Sequence, residues 1–220
     1  NLLLGIADAI ERNADALAVL ESLNCGKPLH LARQDDLSAT VDVFRFFAGA
    51  VRCQTGQLSG EYLPGYTSMV RRDPIGVVAS IAPWNYPIMM AAWKIAPALA
   101  AGNAVIVKSP EITPLAMTWL VTACQRACLP KGALSMLNGP GREIGAALVA
   151  HPDINQIVFT GSVPTGQSIL RAAAERAVPS VMELGGKSAA VVFADADMTQ
   201  LLDSVRWGIF FNAGQVCSAM

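Results

Sequence analysis

Apolar residues recur every three or four positions through the first fifty or so residues, a spacing that predicts amphipathic helices. The pattern predicts one helix over residues 2–23, ended by Gly26, and a second helix over residues 31–53. Residues 58–72 instead alternate between apolar and polar positions and turn at a Leu-Pro-Gly sequence, which indicates a hairpin or a pair of extended arms.

From residue 74 onward, short apolar runs alternate with helical patterns. The predicted strands cover residues 75–81, 104–108, 134–138, 154–160 and 189–193, and helices are predicted over residues 88–101 and 113–127 and from about residues 142, 164 and 198. Strands that alternate with helices in this way favour βαβ units and a parallel sheet buried on both faces. The predicted fold class is therefore α/β with a Rossmann-like sheet.

Composition narrows the possible functions. Hydrophobic residues make up 53% of the chain and charged residues only 15%, which excludes a disordered chain. The net charge of −1 leaves no basic excess for nucleic acid or for an anionic membrane. The longest uncharged run, between Asp73 and Lys94, is interrupted by prolines, so we predict no membrane span.

Cysteines and histidines bear on compartment and metal binding. The five cysteines are odd in number and form no CxxC pair, which favours reduced thiols and a cytoplasmic protein. The two histidines, His30 and His151, are far apart in the sequence, so we predict no metal site.

Open parallel sheets bind ligands at the carboxyl ends of their strands. The residues that follow the predicted strands are Pro83-Trp84-Asn85, Lys108-Ser109-Pro110-Glu111, Asn138-Gly139-Pro140-Gly141 and Thr160-Gly161-Ser162. Such a set suits a cofactor with phosphate and ribose groups. Residues 161–166 match the glycine spacing of a P-loop, but Gln167 stands where the lysine is needed, so hydrolysis of a nucleoside triphosphate is not favoured.

Five segments together resemble the aldehyde dehydrogenase superfamily. They are Ala82-Pro83-Trp84-Asn85-Tyr86-Pro87, Lys108-Ser109-Pro110-Glu111, Phe159-Thr160-Gly161-Ser162, Glu183-Leu184-Gly185-Gly186-Lys187 and Asn212-Ala213-Gly214-Gln215-Val216-Cys217. The likeness covers essentially the whole chain and looks nearest to the 4-aminobutyraldehyde and betaine-aldehyde branch. Family members are roughly twice as long, so the resemblance implies a partial chain that is inactive by itself. It divides the chain into N-terminal helices (residues 1–55), an oligomerisation hairpin (56–73), an NAD-binding domain (74–184) and the beginning of a catalytic domain (185–220).

The resemblance implies three catalytic residues. Cys217 would be the nucleophile that forms a thiohemiacetal and then a thioester, a role suited to a thiolate. Asn85 would stabilise the oxyanion, together with the backbone N–H of Cys217. Glu183 would be the base that activates water, with partial burial raising its pKa. Taken alone, Cys217 reads as a small core residue, as we expect for the other four cysteines, and a non-catalytic nucleotide-binding relative stays an alternative.

The resemblance also implies NAD as the cofactor. Lys108 and Glu111 would bind the adenosine ribose, and the acidic side chain favours NAD over NADP. Gly161 and Ser162 would hold the pyrophosphate at a helix N-terminus. The remaining cofactor residues would be Ala82, Pro83, Trp84, Gly141, Gly145, Thr160 and Leu184.

Substrate and assembly follow from the same resemblance. Tyr86 and Trp93 would form aromatic walls that attract an ammonium group, although both also read as core residues. Asp35, Asp36 and Asp42 offer negative charge, with a solvated helix face as the alternative, and Lys94 reads as structural. The substrate would be a small aminoaldehyde, with a broad-specificity aliphatic aldehyde dehydrogenase as the alternative. The partner would be a second copy of the chain, in a dimer or tetramer.

Overall fold

A computed structural model describes the backbone of all 220 residues and the side chains of all except residues 57–59. The helices are Leu2–Arg12 (α1), Ala14–Cys25 (α2), Leu29–Leu31 (α3), Leu37–Ala50 (α4), Pro87–Ala100 (α5), Leu115–Arg126 (α6), Ala146–Ala150 (α7), Val163–Ala174 (α8) and Met198–Phe210 (α9). The strands are Gln57–Leu63 (β1), Tyr66–Val70 (β2), Val77–Ile81 (β3), Ala104–Lys108 (β4), Leu134–Leu137 (β5), Gln156–Gly161 (β6) and Ser180–Leu184 (β7). A π-helical turn at Ala32–Asp36 joins α3 to α4, and another at Gly141–Gly145 leads into α7.

Strands β3 to β7 form one parallel sheet in the order β5-β4-β3-β6-β7. Short apolar runs rich in valine and isoleucine form these strands because both faces of the sheet are covered. The chain adds strands on one side of β3 and then crosses to its other side with β6. This reversal brings the ends of β3 and β6 together at the same edge of the sheet, where open parallel sheets bind ligands.

Two apolar cores cover the two faces of the sheet. The larger joins α1, α4, α5 and α6 to β4 and includes the fully buried Ile10, Phe44 and Ile95. The smaller joins α7 and α8 to β3 and β6 and includes Ile157 and Phe159. The N-terminal helices therefore share a core with the sheet, which fixes them against α5 and the loop that precedes it.

Two predicted elements differ from the structure. The helix predicted over residues 2–23 is interrupted at Asn13, whose side chain donates to Ala9 O at 2.8 Å and ends α1. The strand predicted over residues 189–193 has no regular structure, and its residues are exposed. The edge position beside β6 is occupied instead by β7, at residues 180–184.

The predicted hairpin is present as the antiparallel pair β1 and β2. Its exposed apolar side chains include Tyr62, Leu63, Tyr66 and Met69. Within the part of the chain that the structure describes, no helix combines the length and apolar character needed to cross a membrane. Among the described side chains, no group of three or more histidine, cysteine or acidic residues is placed to hold a metal ion.

Candidate active site

Side-chain amides connect the loop after β3 to the loop that carries Cys217. Asn85 Nδ2 donates to Gln215 O at 2.8 Å, and Asn212 Nδ2 lies 3.3 Å from both Asn85 O and Gln215 O. Gln215 Nε2 donates in turn to Asn212 O at 3.1 Å. An amide nitrogen carries two N–H groups, and only one of those of Asn85 has an acceptor among the described residues. The second is available to an oxyanion.

The backbone just before Cys217 forms a left-handed turn. Asn212, Ala213 and Gly214 have φ values of 49°, 54° and 76°. Glycine adopts this conformation freely and asparagine tolerates it, whereas for alanine it costs about 1–2 kcal/mol. Asn212 is buried, so its hydrogen bonds hold the turn in place. Backbone strain of this kind is concentrated at functional sites.

The Cys217 side chain is exposed, as a nucleophile requires. Its carbonyl oxygen lies 3.6 Å from the point where a Cβ on Gly186 would be. Because Gly186 lies two residues after the end of β7, the loop that carries Cys217 is close to the segment that carries Glu183.

The other cysteines divide into two groups. Cys124 is fully buried, as predicted for a core residue, whereas Cys25 is only half-buried, with a pKa that burial raises. Cys53 and Cys128 are exposed. The prediction that they are core residues is therefore wrong, because Cys53 ends the exposed turn after α4 and Cys128 lies beyond the end of α6 at Arg126.

Glu183 lies on β7 directly beside Thr160 on β6. Paired residues of neighbouring strands point to the same face of a sheet. Lys94 Nζ, on α5, donates to Thr160 Oγ1 at 2.6 Å and to Met90 O at 3.3 Å. Lysine, threonine and glutamate thus form a polar row at the carboxyl edge of the sheet. Glu183 itself is exposed, so the partial burial expected for it is absent.

Lys94, which the sequence suggested is structural, contacts this polar row through Thr160. Its side chain is almost completely buried. Burial lowers its pKa to about 8, and the charge of Glu183 opposes that effect. An amine with a pKa near neutrality can accept and release protons at physiological pH. Its position on an apolar helix gave no signal of this, since only the fold brings β6 next to it.

Three predicted cofactor residues meet at the ends of β4 and β5. Gly141 N donates to Glu111 Oε1 at 2.6 Å, and Lys108 lies beside the same glycine. Burial lowers the pKa of Lys108, and Glu111 opposes the shift. Ser109 hydrogen-bonds to Asn138 in the neighbouring loop, which holds the two strand ends together. Gly145 is buried at the end of the same π-helical turn, where a Cβ would have no atom within 4 Å.

The end of β6 and the start of α8 form the second half of this surface. A Cβ on Gly161 would lie 2.6 Å from Cζ of the buried Phe159, so a larger residue does not fit. Ser162 Oγ caps α8 by accepting from Thr165 N at 3.4 Å. The helix presents its N-terminus to the ligand edge of the sheet, where backbone N–H groups bind anions. Leu184 packs against Gly166 of the same helix.

The loop after β3 contains the other predicted cofactor residues. Ala82 is buried and donates its N–H to Lys108 O at 3.3 Å, so the loop starts beside β4. Pro83 is half-buried, and Trp84 is exposed on the surface that a ligand would meet.

Tyr86 and Trp93, the predicted substrate walls, lie at the start and middle of α5. Trp93 is 49% exposed, which excludes a core position within the described structure. Tyr86 is half-buried, and burial raises the pKa of its hydroxyl, with smaller contributions from Asp36, Cys217 and Asp35. Tyr86 directly follows Asn85, whose side chain donates to Gln215 O, two residues before Cys217. One face of the Tyr86 ring already contacts an ammonium group, because Lys27 Nζ lies 3.6 Å from the ring centroid.

Comparison with known proteins agrees with this geometry. The chain matches the aldehyde dehydrogenase family over residues 1–220. It is 42% identical to betaine aldehyde dehydrogenase of Bacillus subtilis, 45% to peroxisomal aminoaldehyde dehydrogenase 1 of Pisum sativum and 41% to human retinal dehydrogenase 2. Each alignment covers 99% of this chain, but only 44%, 44% and 42% of the three relatives, respectively.

Solved structures give the same result. The NAD+ complex of aldehyde dehydrogenase from Bacillus cereus superposes with a TM-score of 0.95 at 40% identity, covering 99% of this chain and 44% of that one. Betaine aldehyde dehydrogenase from Staphylococcus aureus, also in complex with NAD+, superposes with a TM-score of 0.96 at 38% identity. The match covers 99% of this chain and 43% of that one.

The chain belongs to the aldehyde dehydrogenase family. Among its relatives are betaine aldehyde and aminoaldehyde dehydrogenases, and the chain spans less than half the length of these curated relatives.

Proposed function

We propose that the protein oxidises a small aldehyde to the carboxylic acid with NAD, through a thioester on Cys217. The observation that carries the proposal is the connection between Asn85 and the nucleophile loop. Asn85 Nδ2 donates a hydrogen bond to Gln215 O at 2.8 Å, and Gln215 is two residues before the exposed Cys217. An amide donor that is fixed to the backbone of a nucleophile suits stabilisation of an oxyanion next to that nucleophile.

Cys217 starts the reaction by adding its thiolate to the aldehyde carbon, which converts the carbonyl oxygen into an oxyanion. The free N–H of Asn85 and the backbone N–H of Cys217 would donate to that oxygen. The amide contacts of Asn212 to Asn85 O and Gln215 O support a loop in which both donors would be positioned before the substrate arrives. Preorganised donors of this kind stabilise the charge without reorganising during the reaction.

The residues at the strand ends fit a dinucleotide. Lys108 and Glu111 would hold the ribose, since the second oxygen of Glu111 is not used on Gly141. Gly161 and Ser162 would hold the pyrophosphate at the N-terminus of α8. Ala82, Pro83, Trp84, Gly141, Gly145, Thr160 and Leu184 would line the rest of the cofactor. When bound, the nicotinamide accepts the hydride that aldehyde oxidation releases.

Glu183 would act as the base that activates water against the thioester. Its neighbour Thr160 accepts a hydrogen bond from Lys94, so a proton taken by Glu183 has a path toward a buried amine. The lowered pKa of Lys94, about 8, suits this role. Hydrolysis would release the acid and restore the Cys217 thiolate.

An aminoaldehyde or betaine aldehyde is the proposed substrate class. Two relatives carry these substrates in their names, while a third is a retinal dehydrogenase. The face of the Tyr86 ring opposite Lys27 would attract a cation, and Asp35 is exposed next to Asp36, which binds the same lysine. Asp36 is less suitable because Lys27 already neutralises it, and Asp42 is exposed on α4.

Matched substrates test this proposal. The protein expressed from the complete reading frame should form NADH with betaine aldehyde and with 3,3-dimethylbutanal, its uncharged analogue of similar shape. Preference for the charged substrate, abolished in Cys217→Ala, supports the aminoaldehyde assignment. Equal use of both aldehydes supports the broad-specificity alternative, and activity that survives Cys217→Ala refutes the mechanism.

Thiol labelling tests the non-catalytic alternative. Because Cys53 and Cys128 are exposed, labelling should be measured in a Cys53→Ser/Cys128→Ser background. A catalytic Cys217 should then react faster than the remaining thiols and be shielded by aldehyde. A Cys217 that reacts no faster than Cys25, with no protection by aldehyde, supports the non-catalytic reading.

The hairpin of β1 and β2 is the proposed contact for a homodimer or homotetramer. Its exposed Tyr62, Leu63, Tyr66 and Met69 provide an apolar surface and free strand edges, both of which favour association. Replacing Tyr66 and Met69 by lysine should lower the molar mass measured by light scattering. An unchanged mass would exclude the hairpin as the contact. A cytoplasmic location stays a prediction from the cysteines.

A further inference from the structure

A buried charged cluster lies behind the loop that carries Tyr86. Its members are Glu21 on α2, Lys27 in the loop after α2, and Asp36 in the π-helical turn, and each is 0% exposed. Lys27 Nζ lies 2.5 Å from Asp36 Oδ2 and 3.6 Å from the centroid of the Tyr86 ring. The cluster thus connects the N-terminal helices to the edge of the active site.

The ammonium of Lys27 has few partners for a group removed from water. Among the described residues its hydrogen-bond acceptor is Asp36 Oδ2, and the Tyr86 ring is its second contact. Burying an ammonium is costly unless its surroundings replace the lost water. An aromatic face contributes most when the cation is desolvated, so the ring and the lysine hold each other strongly.

Glu21 fixes the backbone that follows Tyr86 in the chain. Its Oε1 accepts from Ile88 N at 3.2 Å, in the first turn of α5. The ring of Tyr86 and the start of α5 are therefore both anchored to the same cluster. Asn85 is anchored separately, through Gln215 and Asn212.

We infer that Lys27 is a positioning residue for the substrate: it binds one face of the Tyr86 ring and so fixes the opposite face toward the aldehyde. This inference rests on the proposed function. It assigns a role to a fully buried lysine that touches neither Cys217 nor the cofactor residues. Because Asn85 is held independently, the effect falls on substrate binding rather than on the chemical step.

The test uses Lys27→Met, which removes the charge and keeps a similar volume. In the full-length protein the KM for 3,3-dimethylbutanal should rise about tenfold, while kcat should change less than about threefold. A neutral aldehyde is used so that its own charge does not interact with the ring. Lys131→Met, at an exposed lysine, is the matched control and should behave as wild type.

Two further variants separate positioning from folding. Lys27→Met leaves Asp36 buried without its cation, so Lys27→Met/Asp36→Asn restores a neutral core, and the raised KM should persist in it. In a Tyr86→Leu background, Lys27→Met should produce no further change in KM, since the ring through which it acts is absent.

The outcomes distinguish the inference from the proposed function. A wild-type KM in Lys27→Met/Asp36→Asn, or an equal rise of KM in the Tyr86→Leu background, overturns the positioning role while aldehyde oxidation stands. Absence of Cys217-dependent oxidation in the wild-type protein overturns both.

Discussion

Replacing Glu21 by glutamine removes a completely buried carboxyl group. Burial raises the pKa of Glu21 from 4.5 to about 7; the charge of Asp36 adds to this shift, while the hydrogen bond from Ile88 N and the charge of Lys27 oppose it. Glutamine keeps the oxygen that accepts from Ile88 but does not ionise. The substitution therefore isolates the cost of charging this position.

The sign of the effect follows from proton binding. In the unfolded chain Glu21 loses its proton near pH 4.5, whereas in the folded protein it keeps the proton to about pH 7. Between these values the folded state binds more protons, so the free energy of unfolding falls as the pH rises. Each pKa unit corresponds to ~1.4 kcal/mol, which gives about 3 kcal/mol in all. Burial also raises the pKa of Asp36, to about 6, so its ionisation lowers the free energy of unfolding as well. The Glu21→Gln variant retains this second decrease.

Urea denaturation between about pH 5 and about pH 8, followed by tryptophan fluorescence, measures this difference. The stability of Glu21→Gln relative to wild type should rise by about 3 kcal/mol across that range, mostly below about pH 7. Glu175→Gln, at an exposed position, should run parallel to wild type. Parallel curves for Glu21→Gln as well would refute the reasoning, because they would mean that Glu21 ionises equally in both states.

Three further changes test the site. Asn85→Ala should lower kcat about 10²–10³-fold by removing an oxyanion donor, and a steady-state assay showing less than about tenfold would contradict that role. Ala213→Gly should raise the free energy of unfolding by about 1 kcal/mol in urea denaturation, since it relieves the left-handed backbone, and a loss of stability would show that the turn is unstrained. Thioester hydrolysis, measured in a single turnover, should accelerate through about pH 8 in the wild type, because neutral Lys94 accepts a proton. Lys94→Met should lack this inflection. An inflection that persists in the variant would belong to another group.

The sheet and the ligand edge were predictable because their signals are local. Short apolar runs predict buried strands. Because the strands are parallel, the residues that follow them all lie at the carboxyl edge of the sheet. This is why Glu111 and Gly141, which are 30 residues apart, were expected near each other and are joined by a hydrogen bond. The prediction of a strand over residues 189–193 was wrong because an apolar run does not show whether the sheet has a free edge for it. The edge of the sheet beside β6 is occupied by β7.

The buried cluster and the contact between Lys94 and Thr160 were not predictable, since they depend on tertiary contacts. Lys27 stands in a Gly-Lys-Pro sequence after a helix, where an exposed lysine is the ordinary expectation. Its burial depends on Asp36 and on Tyr86, which the fold brings from another element. Lys94 is likewise defined by Thr160, 66 residues away.

The strand order also sets the sequence in which the site is completed during synthesis. Strands β3, β4 and β5 can pair as soon as they leave the ribosome, but one edge of β3 stays open until β6 emerges, nearly eighty residues later. An open central strand invites pairing with other chains. The hydrogen bond from Asn85 to Gln215 spans 130 residues and forms later still. Cys217, the proposed nucleophile, is therefore translated after the strands that support the cofactor surface, and a nascent chain carries that surface before it carries this thiol.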